Sequence, residues 1–297
     1  MNPVAKITSA LRFVANHPLN RGRKWRAMFE FCIAQITLRL LPGDICMEFP
    51  NRTRVMLAPD MKGAWHFITP RLFDLEEMSF VMHYLRADDF FADIGANVGV
   101  YTVLAAGVTG AKAAAFEPSQ DTYEMLVRNI RINALTDRVK AFEMAVGAQA
   151  GIMRLTVGQG TENYISIQDS ETPSASVKVT TLDSEFCNHT PNLLKIDVEG
   201  FESEVIAGAK SMLKKRELRA MIIERCNNGT RYGFDEDALH CKIRQEGFLP
   251  CTYDPFTRLL RQAPDTATGN VIYVRDLSGA NAILKSAPAF KFGGRSI

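Results

Sequence analysis

One stretch constrains the chain more than any other: Phe90-Phe91-Ala92-Asp93-Ile94-Gly95-Ala96-Asn97-Val98-Gly99-Val100-Tyr101-Thr102. The apolar run that halts at Asp93 reads as a buried strand. The glycines read as a tight turn, and the residues from about Val98 as the opening of a helix. Glycine at 95 and 99 admits backbone angles closed to other residues and leaves no Cβ in the way of a ligand. The helix opening aims N–H groups at whatever lies above the turn. A second apolar run, Ala113-Ala114-Ala115-Phe116, ends in Glu117. A carboxylate there suits a ribose diol, because it accepts two hydroxyl hydrogen bonds at once.

A dinucleotide turn would read G-x-G-x-x-G. Here the first Gly-x-Gly is absent, and Asp93 sets a negative charge beside the turn. That charge disfavours a pyrophosphate and favours a sulfonium or amino group, so S-adenosylmethionine fits better than NAD. The bland alternative is a glycine-rich strand–helix turn with no ligand.

With 297 residues, 46% hydrophobic and 23% charged, the chain is long enough for one large α/β domain with additions. A net charge of +2 is too near balance for a nucleic-acid footprint, so no nucleic-acid partner is expected. The six cysteines (Cys32, Cys46, Cys187, Cys226, Cys241 and Cys251) form no C-x-x-C pair. Neither a zinc site nor a redox dithiol is signalled. Scattered thiols and the lack of a secretory signal lead to an expected cytoplasmic location. The apolar run 27–41 contains Glu30, Gln35 and Arg39 and is too short to span a bilayer.

Three parts are expected: a helical extension over 1–43, a main domain over 44–277 and a loose tail over 278–297. Lys6, Arg12, Arg21, Arg23, Lys24 and Arg26 make the extension basic, and Met28, Phe29, Cys32, Ile33, Ile36, Leu38 and Leu40 recur at helical spacing. Such a helix packs on the domain or on a second subunit as a homodimer contact, or it touches an anionic membrane peripherally. In the main domain, 46–49 and 54–57 flank Pro50-Asn51-Arg52 as a hairpin, and a helix over 76–85 leads into the central strand. After Ser119 a helix turns Tyr123, Leu126, Val127 and Ile130 to one side, and 139–146 is a third strand. An inserted β-hairpin spans 151–181 around a polar stretch. The fourth strand is Leu193-Leu194-Lys195-Ile196-Asp197. Strands over 221–224, 248–253 and 270–274 follow, with a helix over 235–246.

Alternating strands and helices give a parallel sheet covered on both faces, with ligands at the carboxyl ends of the strands. Asp93, Glu117, Ala145, Val146, Asp197 and Glu224 should therefore lie along one edge. Methyl transfer from a sulfonium is an in-line displacement that depends mainly on positioning. An alcohol acceptor also needs its proton removed. Asp197 is the best-placed base, with Glu199 as base or acceptor contact; the alternative for Asp197 is a carboxylate at a helix N-terminus. His66, in a loop ahead of the domain, is a candidate to fold over the pocket and touch substrate. Asp197 and Glu224 lack an obvious third oxygen ligand, so no metal is assigned.

At this point the chain resembles the FkbM family of methyltransferases. Asp93 to Thr102 is similar to the family's first motif, and Phe116-Glu117-Pro118 with Asn129 and Asn133 to its second. Thr181-Leu182-Asp183, Leu194-Lys195-Ile196-Asp197-Val198-Glu199-Gly200-Phe201-Glu202 and Gly208-Ala209 resemble its hallmark segment; Ile223-Glu224 and Asn270 resemble later positions. The likeness runs over roughly residues 70–275. It implies an α/β class I methyltransferase fold (Rossmann-like), with a seven-stranded, mostly parallel sheet whose last strand is antiparallel. It implies S-adenosylmethionine as cofactor and O-methylation of a sugar hydroxyl in a glycan, or of a related small molecule. Asp93, Gly95, Ala96, Asn97, Gly99, Thr102 and Asp197 would surround the methionine part, Glu117 and Pro118 the ribose, and Ala145 and Val146 the adenine. Phe73-Asp74 and Asn163 would approach the pocket, with Asn163 and Glu224 as contacts to the acceptor. Phe201 stands where the family often has a small residue, and the extension lies outside the resemblance. Other readings are a methyltransferase for a lipid, protein or nucleic-acid acceptor, and an adenosyl-ligand-binding protein without turnover.

Overall fold

The computed structural model describes residues 3–40, 43–58, 72–158, 163–166, 172–292 and 295–297. Helices α1 (Pro3–Asn16) and α2 (Lys24–Leu40) come first. They pack on one another through Ala10, Val14, Ala27 and Phe31. Strands β1 (Ile45–Glu48) and β2 (Arg54–Leu57) form the expected antiparallel hairpin, turning where Asn51 and Arg52 take left-handed backbone angles. Helix α3 (Leu75–Tyr84) then leads to β3 (Phe90–Ile94), the centre of the main sheet.

Helix α4 (Val100–Val103), which runs on as a wider turn over Leu104–Val108, is followed by β4 (Lys112–Phe116), α5 (Gln120–Ile132) and β5 (Val139–Phe142). Asn129 on α5 and Asn133 at its C-terminal cap stand one turn apart and serve the open edge of β2. Their side-chain oxygens accept from Met56 N–H and Arg54 N–H, both at 2.7 Å, and their amides donate to the carbonyls of the same two residues. Edge groups that would otherwise lack partners are thereby satisfied.

The third strand is shorter than the sequence suggests. After β5 the chain bends and β6 (Ala145–Val146) leaves the main sheet. It joins β7 (Gly151–Thr156), β8 (Ile165–Ser166) and β9 (Ser174–Thr180) in a second sheet of order β6-β9-β7-β8. The expected inserted hairpin is the β7–β9 pair, and β6 and β8 are added to it. Helix α6 (Leu182–Glu185), β10 (Leu193–Ile196), α7 (Glu202–Ala207), β11 (Ala220–Arg225), α8 (Glu236–Gln245), β12 (Leu249–Asp254), β13 (Leu259–Gln262) and β14 (Gly269–Val274) complete the domain.

The main sheet has the order β13-β12-β14-β11-β10-β3-β4-β5. Strands β5, β4, β3, β10 and β11 run parallel, and β14 lies antiparallel between β11 and β12. The seven expected strands are present, and β13 is an eighth that folds back on β12 at the edge. Its Leu-Leu-Arg-Gln run is too short to show a period of two. Alternation along the strands divides the core in two. Phe91, Leu193 and Ile222 face α3, α4 and α5, whereas Ile94, Leu194, Ile196 and Ile223 face Val205, Ile206 and Ile243 of α7 and α8.

The described residues of the segment 278–297 are not a loose tail. Helix α9 (Leu277–Lys285), opened by Asp276 accepting from Gly279 N–H, is followed by the short strands β15 (Lys291–Phe292) and β16 (Arg295–Ser296). Leu284, Phe290, Phe292 and Ile297 are buried in the first core. These four spaced apolar residues in so short a segment need cover from water, and the sheet edge supplies it.

Candidate active site

A cavity of about 580 Å³ opens at the carboxyl ends of β3, β4 and β10. Its floor is the glycine turn. Gly95 N–H and Ala96 N–H both donate to the Phe116 carbonyl, at 3.0 and 2.9 Å, so the chain bends over the end of β4. Gly95 has φ +78°, and a Cβ there would stand 1.8 Å from the Asp197 carbonyl oxygen. Only glycine lets β3 and β10 end this close together. Asn97, also left-handed at φ 53°, donates its N–H to Glu117 Oε2 at 2.8 Å.

Glu117 is 7% exposed, and its other oxygen, Oε1, accepts from Ser119 N–H at 3.0 Å and Thr122 Oγ1 at 2.7 Å. Burial raises its pKa, opposed by these three hydrogen bonds. A carboxylate offers about four acceptor directions, so about one remains, on Oε2. Glu117 is thus set to take one hydroxyl, where the sequence suggested two.

Behind the turn lies a charged cluster that sequence reasoning missed. Lys195 is 3% exposed within a wholly buried strand. Its Nζ donates to Asp197 Oδ2 at 2.7 Å and lies 4.6 Å from the centre of the Tyr101 ring. Register places Lys195 beside Asp93, whose Oδ2 accepts from Thr102 Oγ1 at 2.6 Å. Tyr101 in turn donates to Asp74 Oδ2 at 2.9 Å. Burial alone would lower the Lys195 pKa, but Asp197, Asp93 and Asp74 outweigh it and hold the ammonium protonated. Burial pushes the Asp74 carboxyl up to about 6 despite Tyr101 and Lys195, and raises Asp93 as well. The signal was available: a lysine inside an apolar parallel strand requires partners.

The opposite wall begins at Glu199-Gly200, two consecutive left-handed residues at φ 56° and 99°. A Cβ on Gly200 would meet the Asn228 backbone at 2.6 Å, so the left-handed glycine permits this crossing. Glu202 Oε1 closes the turn by accepting from Val198 N–H at 3.1 Å and Gly200 N–H at 3.2 Å. Asn228 Nδ2 donates to Glu199 Oε2 at 3.2 Å. Glu224 and Asn270 face each other across β11 and β14. Glu224 Oε2 and Asn270 Oδ1 are buried without a hydrogen-bond partner among the described residues. Burial, then the charges of Asp197, Glu199 and Glu202, push Glu224 up to about 8. Phe201 forms an aromatic wall with Tyr232, ring centres 5.4 Å apart and planes at 70°.

The cavity thus brings together Asp93, Gly95, Ala96, Asn97, Glu117, Pro118, Ala145, Val146, Asn163, Asp197, Glu199 and Glu224. Gly99 and Thr102 do not line it. Gly99 seats against Leu126, and Thr102 supports Asp93 from behind. Asn163 Nδ2 donates to Ser119 Oγ at 3.3 Å, near Glu117. His66 lies outside the described residues. Among the described residues, no three His, Cys, Asp or Glu side chains are arranged to hold a metal ion.

Parallel strands reversing order between β3 and β10, an antiparallel strand beside β11 and a glycine turn capped by an acidic strand end define a class I methyltransferase fold. The chain belongs to the FkbM methyltransferase family: the Methyltransferase FkbM domain matches residues 93–250. It is 28% identical over 159 residues to Methyltransferase sdnD of Sordaria araneosa, covering 42% of this chain and 61% of that one. It is 27% identical over 146 residues to Methyltransferase 1 of Beauveria bassiana, covering 41% and 58%. The chain therefore spans about 60% of the length of these relatives. A crystal structure of the FkbM methyltransferase from Methylobacillus flagellatus KT aligns with a TM-score of 0.45 and 16% identity, over 64% of this chain and 44% of that one.

Proposed function

We propose that this protein transfers a methyl group from S-adenosylmethionine to a hydroxyl of a carbohydrate, a glycan or a related small molecule. The observation that carries the reading is the charge of the cavity. Asp74, Asp93, Glu117, Asp197, Glu199 and Glu224 line it against one described lysine, Lys195; Glu224, pushed up to about 8, adds no charge near neutral pH, and the other five still outnumber the lysine. Such a wall favours a cationic ligand with a sulfonium and an ammonium group, and rejects a pyrophosphate.

When bound, the cofactor supplies an electrophilic methyl group on a positive sulfur. Glu117 takes a ribose hydroxyl, held for it by the Asn97 N–H. Ala145 and Val146 offer an apolar edge for a base. Lys195 fixes one oxygen of Asp197 and leaves the other, on a side chain 33% exposed, to orient the acceptor hydroxyl and take its proton. Glu224 Oε2 and Asn270 Oδ1 are buried polar atoms without a hydrogen-bond partner among the described residues, and a polyhydroxyl acceptor can supply one to each. Phe201 gives the apolar face of a sugar ring a surface to lie on.

The test is calorimetric titration with S-adenosylhomocysteine beside a methyl-transfer screen over sugars and glycan lipids. Wild type and Asp197→Asn should bind, and Glu117→Ala should not. Asp197→Asn should lose roughly 100-fold or more in turnover, the scale of a general base. A wild type that does not bind overturns the cofactor, and full turnover in Asp197→Asn overturns its role.

A further inference from the structure

We infer that the outer face of α2 docks this protein on an anionic lipid bilayer. Trp25, Phe29, Ile33, Ile36 and Leu40 are 83%, 67%, 47%, 51% and 72% exposed. Their spacing places all five within one arc of about 80° at the α-helical rotation per residue. The opposite face is used already, since Ala27 and Phe31 are buried against Ala10 and Val14 of α1. A helix apolar on two opposite faces requires cover on both. Here α1 covers one, and no described residue covers the other. A continuous stripe of large apolar side chains on a soluble surface marks an interaction site.

Charge selects the occupant. Residues 1–40 hold seven of the 35 Lys and Arg but one of the 33 Asp and Glu, a net +6, against −4 for the remainder. The single acid, Glu30, is ion-paired with Arg23 and Arg26. Lys24 and Arg26 flank Trp25, and Arg21 stands one turn before it. Two copies meeting through this stripe would bring two such segments together and repel. A bilayer with anionic headgroups complements the basic border while its acyl region takes the apolar stripe, with Trp25 at the boundary. No helix among the described residues is long and apolar enough to cross a membrane, so α2 lies along the surface. Phe13 of α1 lines the cavity, so the docked unit also borders the site.

The experiment is co-sedimentation of the full chain with vesicles of phosphatidylcholine alone or mixed with phosphatidylglycerol. Binding is expected to the mixed vesicles and not to the neutral ones, and to weaken with salt. Trp25→Ser/Phe29→Ser and Arg21→Glu/Lys24→Glu should each weaken it by about tenfold or more. All these positions are exposed, so both variants should keep the wild-type Tm and S-adenosylhomocysteine titration. Failure of those controls is thereby separable from failure of docking. Absence of vesicle binding overturns the inference, as does binding unchanged in Trp25→Ser/Phe29→Ser. A concentration-dependent dimer that the same variant dissociates, without vesicle binding, assigns the stripe to a second copy and also overturns it.

Discussion

A protonated lysine at 3% exposure persists because three carboxylates and a tyrosine ring surround it. Lys195 compensates Asp93 and Asp197, and they compensate it, so removing one member leaves the others uncompensated in a poorly solvated place. Lys195→Met should therefore cost about 3–5 kcal/mol of stability, read by urea unfolding. Pairing it with Asp93→Asn should recover part of that loss, as expected of coupled neighbours. Stability equal to wild type in the single variant would show that the cluster is not mutually compensated. The sequence exposes the anomaly, a lysine in an apolar strand, but not the partners. Asp93 is 102 positions away, and only the parallel register of β3 and β10 makes them neighbours.

At the scale of elements, the strand, turn and helix around Gly95 were legible because each rests on a short local pattern. The hairpin of β1 and β2 was legible for the same reason. The departure of β6 into a second sheet was not, since one strand-like stretch, 139–146, covers both β5 and β6 and no glycine or proline marks the change of partner. The last residues end in Phe292-Gly293-Gly294-Arg295 and read as a loose tail when taken alone, yet their apolar positions reach a distant sheet edge. Phe290 stacks on His83 with ring centres 5.6 Å apart, and Arg258 donates to the Ala287 and Ile297 carbonyls. Deleting residues 287–297 exposes the surfaces that Phe290, Phe292 and Ile297 cover, each worth about 1.5–3 kcal/mol. Calorimetry should show Tm lower by roughly 10 °C or more. An unchanged Tm would mean that the segment adds no cover.

Over the whole molecule, buried carboxyls give the fold a dependence on pH. Burial pushes Glu77 and Glu224 up to about 8, Glu202 to about 7 and Asp74 to about 6, from ordinary values of 4.5 for the glutamates and 3.8 for the aspartate. Raised folded values mean that the folded chain keeps protons the unfolded chain has released. This contribution is intact below about pH 4.5 and is lost as pH rises towards 8. Thermal scans should show Tm falling by several degrees between pH 6 and pH 8.5, and Glu77→Gln/Glu224→Gln should flatten most of that slope. A profile that is level or rises would count against neutral carboxyls in the fold.

What the sequence determined by itself was local and periodic: the glycine turn, the acidic strand ends, the alternation of strands and helices, and through them the fold class and the edge where the site lies. Those features follow from backbone sterics and apolar spacing, which act over a few residues. Only the tertiary structure decided which charges meet, that Glu117 has about one acceptor direction to spare, that Gly99 and Thr102 stand behind the cavity, and which face of α2 is exposed. Each of these depends on contacts between residues far apart in the chain, where register and packing, not local pattern, select the neighbours.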